Sequence, residues 1–201
     1  MTSDIRRTDA AAPARSLWIK GLTPGLPERG KIKIGKKGDS RKSKSGDEYQ
    51  LPVKLDHFVV TTLERGPDNN FVRDEAVHAV IGEAPTTIPV RLLFHDPELN
   101  FQSRLACFKK RTLWCTGDGQ VAQRLDENNQ RQPVPCPCER SAPDYQGKEV
   151  CKVAGMLSVL IDAAPAIGGV WKFRTTSYNT VVGMMSGLAL IHKITGGVLV
   201  S

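Results

Sequence analysis

The chain has no uninterrupted apolar run of the ~18 residues that a membrane-spanning helix needs, so no membrane span is predicted. It also lacks a secretory segment. The opening MTSDIRRTDAAAPARS is charged and no apolar stretch follows it, so residues 1–16 read as a disordered leader. A cytoplasmic, reducing location is therefore expected, where clustered thiols point to metal or catalysis before disulfides. Aromatic residues are few, at 6%. There is no phosphate-cradling Walker loop, no dinucleotide fingerprint and no HExxH. A catalytic thiol needs a general base, and no sequence feature pairs His57, His78, His95 or His192 with a cysteine. These absences make an enzyme, such as a metal-dependent hydrolase, the last of the readings.

What is present begins with size and charge. At 201 residues, 40% of them hydrophobic, the chain can bury the core of a single domain, taken as residues 17–201. Its net charge is +7, and the excess is concentrated. Arg29, Lys31, Lys33, Lys36, Lys37, Arg41, Lys42 and Lys44 stand against Asp39 alone, so positions 29–44 hold all of it. A basic, Gly/Ser-rich loop of this kind attracts a phosphate backbone, because each neutralised phosphate releases a condensed counterion. These eight are the candidate nucleic-acid-binding residues. The plainer reading is a solvated loop kept soluble by its charge. No aromatic interrupts the run before Tyr49, which argues against base stacking there.

Apolar period and turn residues predict an α+β fold: a mainly antiparallel sheet with a few packed helices. Strands are expected at 17–22, 31–34 and 53–62, then at TTIPVRLLF, RTLWC, KVAGMLSVLI and VWKFRTTS. DEAVHAVIG predicts a short helix started by Asp74. NFQSRLACFKK predicts another, its last turn carrying Lys109, Lys110 and Arg111 where the helix dipole favours them. The best-marked helix follows Ser177, with Val181, Met184, Met185, Leu188 and Ile191 at helical spacing. Gly183 and Gly187 on it should let a neighbouring backbone approach. TGG should end it before a last strand at VLV.

Four of the five cysteines follow Cys-x20-Cys-x-Cys-x12-Cys, at Cys115, Cys136, Cys138 and Cys151. Thiolates from loop ends are a common source of tetrahedral zinc ligands. Few large apolar residues lie between them, so a structural zinc would replace missing core in a small cysteine-rich insert at 115–151. The absence of any metal stands beside that reading. Cys107, next to Phe108, reads as a small buried hydrophobe on a helical face. Asp118 in GDG reads as ordinary turn chemistry. His95, Asp96 and Glu98 in HDPELN admit a metal, or more simply a helix start.

In joint order, GKIKIG, KLDHFVVTT, FHDPELNFQSRLACF, LWCTGDGQVAQR, the CPC…C cluster and FRTTSYNTVVGMMSGLALIHKITGGVL resemble one family. These are the phage recombination directionality factor-like proteins, partners of large serine integrases and often labelled hydrolase or metal-binding protein. The resemblance covers roughly residues 17–201. It implies a protein that binds a DNA-bound integrase and switches it from integration to excision without performing strand exchange. It maps the cysteine cluster onto Cys115, Cys136, Cys138 and Cys151, and leads to the expectation of a further part after Ser201. The alternative is a nucleic-acid-binding subunit of another mobile-element or defence complex, using the basic loop at 29–44.

Overall fold

The computed structural model describes residues 25–42, 46, 48–162, 164 and 168–200. The expected leader at 1–16, the strand at 17–22, Lys44 and Ser201 lie outside the described residues.

A long antiparallel hairpin, β1 (Glu28–Lys42) and β2 (Glu48–Arg65), opens the fold. Next come β3 (Phe71–Arg73), α1 (Glu75–Ile81), β4 (Val90–Arg91), α2 (Pro97–Asn100) and β5 (Phe101–Lys109). The chain continues through β6 (Thr112–Gly117), β7 (Val121–Leu125), β8 (Arg131–Pro135) and a short 3-10 turn at Glu139–Ser141. It then forms β9 (Cys151–Ile161), β10 (Val170–Thr175) and α3 (Tyr178–Ile194). The strand order is β3-β2-β1-β10-β9-β5-β6-β7-β8, with β4 beside the end of β9. Among the described residues only β1 and β10 pair in parallel; the other pairings are antiparallel. The expected α+β class and mainly antiparallel sheet are what the chain forms.

Strand alternation decides the two faces of the sheet. Val60, Ile32, Phe173, Leu157 and Phe101 stand in one row across β2, β1, β10, β9 and β5. Val77 of α1 joins the core over Ile32, Val60 and Trp171, while Val181 and Leu188 of α3 pack on Phe101. The neighbouring row, Thr61, Lys31, Lys172 and Ser158, points to the opposite face.

The helix ends follow the expected chemistry. Asp74 caps α1 by accepting from the Val77 N–H at 3.2 Å, and Ser177 caps α3 by accepting from the Thr180 N–H at 3.4 Å. Thr195, Gly196 and Gly197 close α3, with the Gly197 N–H donating to the His192 carbonyl at 2.7 Å. His78 is a satisfied core histidine. Its Nε2 accepts from the Val60 N–H at 3.0 Å, so Nδ1 carries the proton and donates to the Gly82 carbonyl at 2.8 Å.

Several sequence expectations are corrected. The segment NFQSRLACFKK is β5, not a helix: Phe101, Leu105 and Cys107 pair with Leu157, Val153 and Cys151, so cross-strand packing overrides the helical pattern. The basic run through Lys42 is strand β1 rather than a loop, because β2 and β10 flank it and take up its backbone hydrogen bonds. Within TTIPVRLLF only Val90 and Arg91 pair. No strand forms at 198–200; the Leu199 and Val200 N–H groups instead approach His95 Nδ1 at 3.2 and 3.3 Å. Within 115–151, β6, β7 and β8 continue the main sheet as far as Pro135, and residues 136–150 form the 3-10 turn and loop that lead to β9. Pro133 and Pro135 fit there because β8 is the edge strand, where a missing N–H is tolerated. Gly183 and Gly187 face open space, and the close approach falls on Gly155 of β9. A Cβ there would lie 2.6 Å from Phe101 Cζ and 2.8 Å from Val181 Cγ2.

Candidate nucleic-acid interface and thiol cluster

The structure divides the described members of the basic set expected to act together. Lys31, Lys33 and Lys36 line a groove on the open face of the sheet. Arg29 leaves that set and lies over the Trp171 ring at 5.4 Å. Arg41 and Lys42 are exposed at the far end of β1; Lys37 also belongs to β1.

Distant residues replace those that leave. Lys54 and Arg65 of β2 and Lys172 and Arg174 of β10 line the same groove, and among the described residues no carboxylate does. Lys31 Nζ stands 3.5 Å from the Phe71 ring centroid, the Arg65 guanidinium 4.3 Å and Lys33 Nζ 4.9 Å. Glu28 borders the groove. It accepts from Arg174 at 2.9 and 2.6 Å and pairs with Lys172 at 3.5 Å. The Arg174 hydrogen bonds hold the Glu28 carboxyl below its ordinary range. Burial, and then the neighbouring Arg174, push the Lys31 ammonium below its usual value. Sequence reading missed Arg65, Lys172 and Arg174 because each is an isolated cation in its own segment. Only strand pairing gathers them.

The thiols form the second feature. Cys107 on β5 stands opposite Cys115 on β6 and opposite Cys151 on β9, and Cys115 stands opposite Arg124 on β7. These four side chains make one row across four strands. Cys136 packs onto the same cluster, and Arg124 Nη2 approaches Cys138 Sγ at 3.6 Å. A β-bulge between Cys107 and Phe108 gives β6 an extra residue, and Trp114 packs with the thiols. Its ring receives Lys109 at 3.9 Å, Arg124 at 4.9 Å and Arg140 at 5.0 Å. Cys107 is 1% exposed, the buried small hydrophobe expected, although on a strand.

Burial, with the other thiols adding to it, raises the Cys151 pKa to about 11. Burial likewise pushes the Cys107 thiol up. Such thiols are protonated and weakly nucleophilic at neutral pH. The donor chemistry of four cysteines suits zinc. Cys115 and Cys151 lie on strands two apart, ~9.5 Å between their backbones, on either side of Cys107. Among the described residues, no three His, Cys, Asp or Glu side chains meet as a metal-ligand group. Cys107 was missing from the predicted set. Its near-symmetric placement with Cys115 about the Lys110–Arg111 turn was the available signal, hidden by the helical reading.

The remaining candidates are structural. Asp118 Oδ1 accepts from the Gln120 and Val121 N–H groups at 2.8 and 2.9 Å, which is turn chemistry. Asp96 caps α2 through the Glu98 N–H at 2.8 Å. Asn100, fully buried, ties this turn with four hydrogen bonds, two accepted and two donated. Among the described residues no helix is long and apolar enough to cross a membrane.

The family model for Gp3-like, recombination directionality factor-like proteins matches residues 29–200, and the chain belongs to that family. No curated protein and no solved structure matches it.

Proposed function

We propose that this protein binds a DNA-bound large serine integrase in the phage-infected cytoplasm and shifts it from integration toward excision, taking no part in strand exchange. Family membership over residues 29–200 carries this reading. The C-terminal end of α3 supports a protein partner: Leu190, Ile191 and Ile194 are exposed within its last turns, and exposed apolar surface of that kind is what a partner covers. The test is an excision reaction with purified integrase, with and without this protein. Excision product should appear only when both are present, and its absence under conditions where the integrase integrates would overturn the proposal.

Zinc at Cys115, Cys136, Cys138 and Cys151 is part of the same proposal. Its support is the shared neighbourhood of these thiols, and four thiolates would leave no open position for catalysis. Bound there, zinc would supply a structural crosslink. Cys136 and Cys138 would bring the segment after β8 onto β6 and β9.

The basic groove favours a second reading, a nucleic-acid-binding subunit of another mobile-element or defence complex. A chain that binds DNA yet never alters integrase direction would move the assignment there.

A further inference from the structure

We infer that the open face formed by β2, β1 and β10 binds the phosphate backbone of duplex DNA, with Lys31, Lys172, Arg65 and Arg174 as phosphate contacts and the Thr61 hydroxyl as a donor among them.

Charge is the first ground. Cations from three strands converge on one groove whose lining, among the described residues, includes no carboxylate, and Glu28 at the border offsets only part of that charge. Lys31 and Lys172 are direct cross-strand neighbours, and Lys31 is also partnered with Thr61. Like charges directly opposite one another destabilise a sheet. The fold carries that cost, and a polyanion laid across the face would relieve it.

Thr61 is the second, independent ground. Its side chain is 2% exposed and lines this groove, and its Oγ1 has no hydrogen-bond partner among the described residues. Buried polar groups are otherwise almost always satisfied, so an orphan hydroxyl beneath a cationic groove marks a place for an acceptor. Phosphate oxygens supply one. Other short polar side chains of the lining, Asn69, Asn70 and Thr176, are the types that accompany Lys and Arg at DNA backbones.

The choice of duplex over an acidic protein rests on the lining. The core of a protein interface is depleted of lysine, whereas Lys31, Lys33, Lys36, Lys54 and Lys172 all line this groove. The choice of backbone over bases rests on Phe71. Three cations already lie within 4.9 Å of its ring centroid and compete with a base for the ring. Binding is therefore indifferent to sequence.

The site does not depend on the integrase reading, and the test separates the two by omitting integrase. Labelled duplexes of unrelated sequence are titrated with the full chain by fluorescence anisotropy at increasing salt. Comparable affinity for all duplexes is expected, with a steep fall as salt rises. Lys31→Gln/Lys172→Gln should flatten the slope of log affinity against log salt by about 1.8, roughly 0.9 for each lost phosphate contact. Thr61→Val removes the orphan hydroxyl at nearly constant volume. It should weaken binding several-fold while the melting temperature holds or rises, an outcome that misfolding does not produce. Arg91→Gln removes a cation paired with Asp162 outside the groove and should change nothing. Duplex binding unaltered in the groove variants overturns the inference, as does a wild type that binds no duplex. Loss of integrase binding in the groove variants, with no duplex binding by the wild type, would assign the face to an acidic protein surface instead.

Discussion

Cys107 and Cys115 stand directly opposite each other across the β5–β6 hairpin, and Cys107 also faces Cys151 on its other side. Three thiols from three strands thus share one stripe of the sheet. The residue that joins the other two is the one whose spacing lies outside the clustered pattern.

Metal content tests the zinc proposal. Freshly purified protein is expected to carry a single zinc per chain by elemental analysis. Cys136→Ser or Cys138→Ser should release it and loosen residues 115–151, leaving α3 intact by hydrogen exchange. Cys107→Ser should keep the metal but lower stability by ~1–2 kcal/mol, since it puts a hydroxyl into a site that is 1% exposed. Metal-free protein at isolation would count against zinc.

Stability of the metal-free, reduced protein should fall as pH rises from about 9 toward 11. The Cys151 thiol holds its proton up to about 11 in the folded chain, against an ordinary value of 9.0. Across that window the folded state binds the proton and the unfolded state has released it, so stability is full below the window and lost through it. Urea denaturation across this range should show a steeper decline for the wild type than for Cys151→Val.

The two glycine positions should respond with opposite sign. Gly155→Ala drives a methyl into Phe101 and Val181 and should cost ~1–3 kcal/mol in denaturant unfolding. Gly183→Ala meets nothing within 4 Å and should gain ~0.5–1 kcal/mol from helix propensity. A destabilising Gly183→Ala would mean that α3 packs more closely than this structure shows.

Asn100→Ala should be among the most damaging single changes outside the sheet. It strips hydrogen bonds from the Leu93 and Phe94 N–H groups and from the Phe94 and Asp96 carbonyls at a fully buried position. A loss of ~3–5 kcal/mol is expected from thermal or urea unfolding.

Local chemistry alone was enough for some of this architecture. Asp74, Asp96 and Ser177 cap helices because a short oxygen-bearing side chain satisfies the first free N–H groups wherever a helix begins. The 3.6-residue period of Val181, Met184 and Leu188 marks α3 for the same local reason, and Lys-Ile-Lys-Ile already alternates as a strand. Tertiary structure decided what local pattern leaves ambiguous. Phe101 to Lys109 carries apolar residues at spacings compatible with either element, and only β9 and β6 on its two sides make it a strand. The same pairing brings Cys107 between Cys115 and Cys151, and sets Lys172 and Arg174 beside Lys31. Cross-strand neighbours are fixed by register between segments far apart in the chain, and no single segment carries that register.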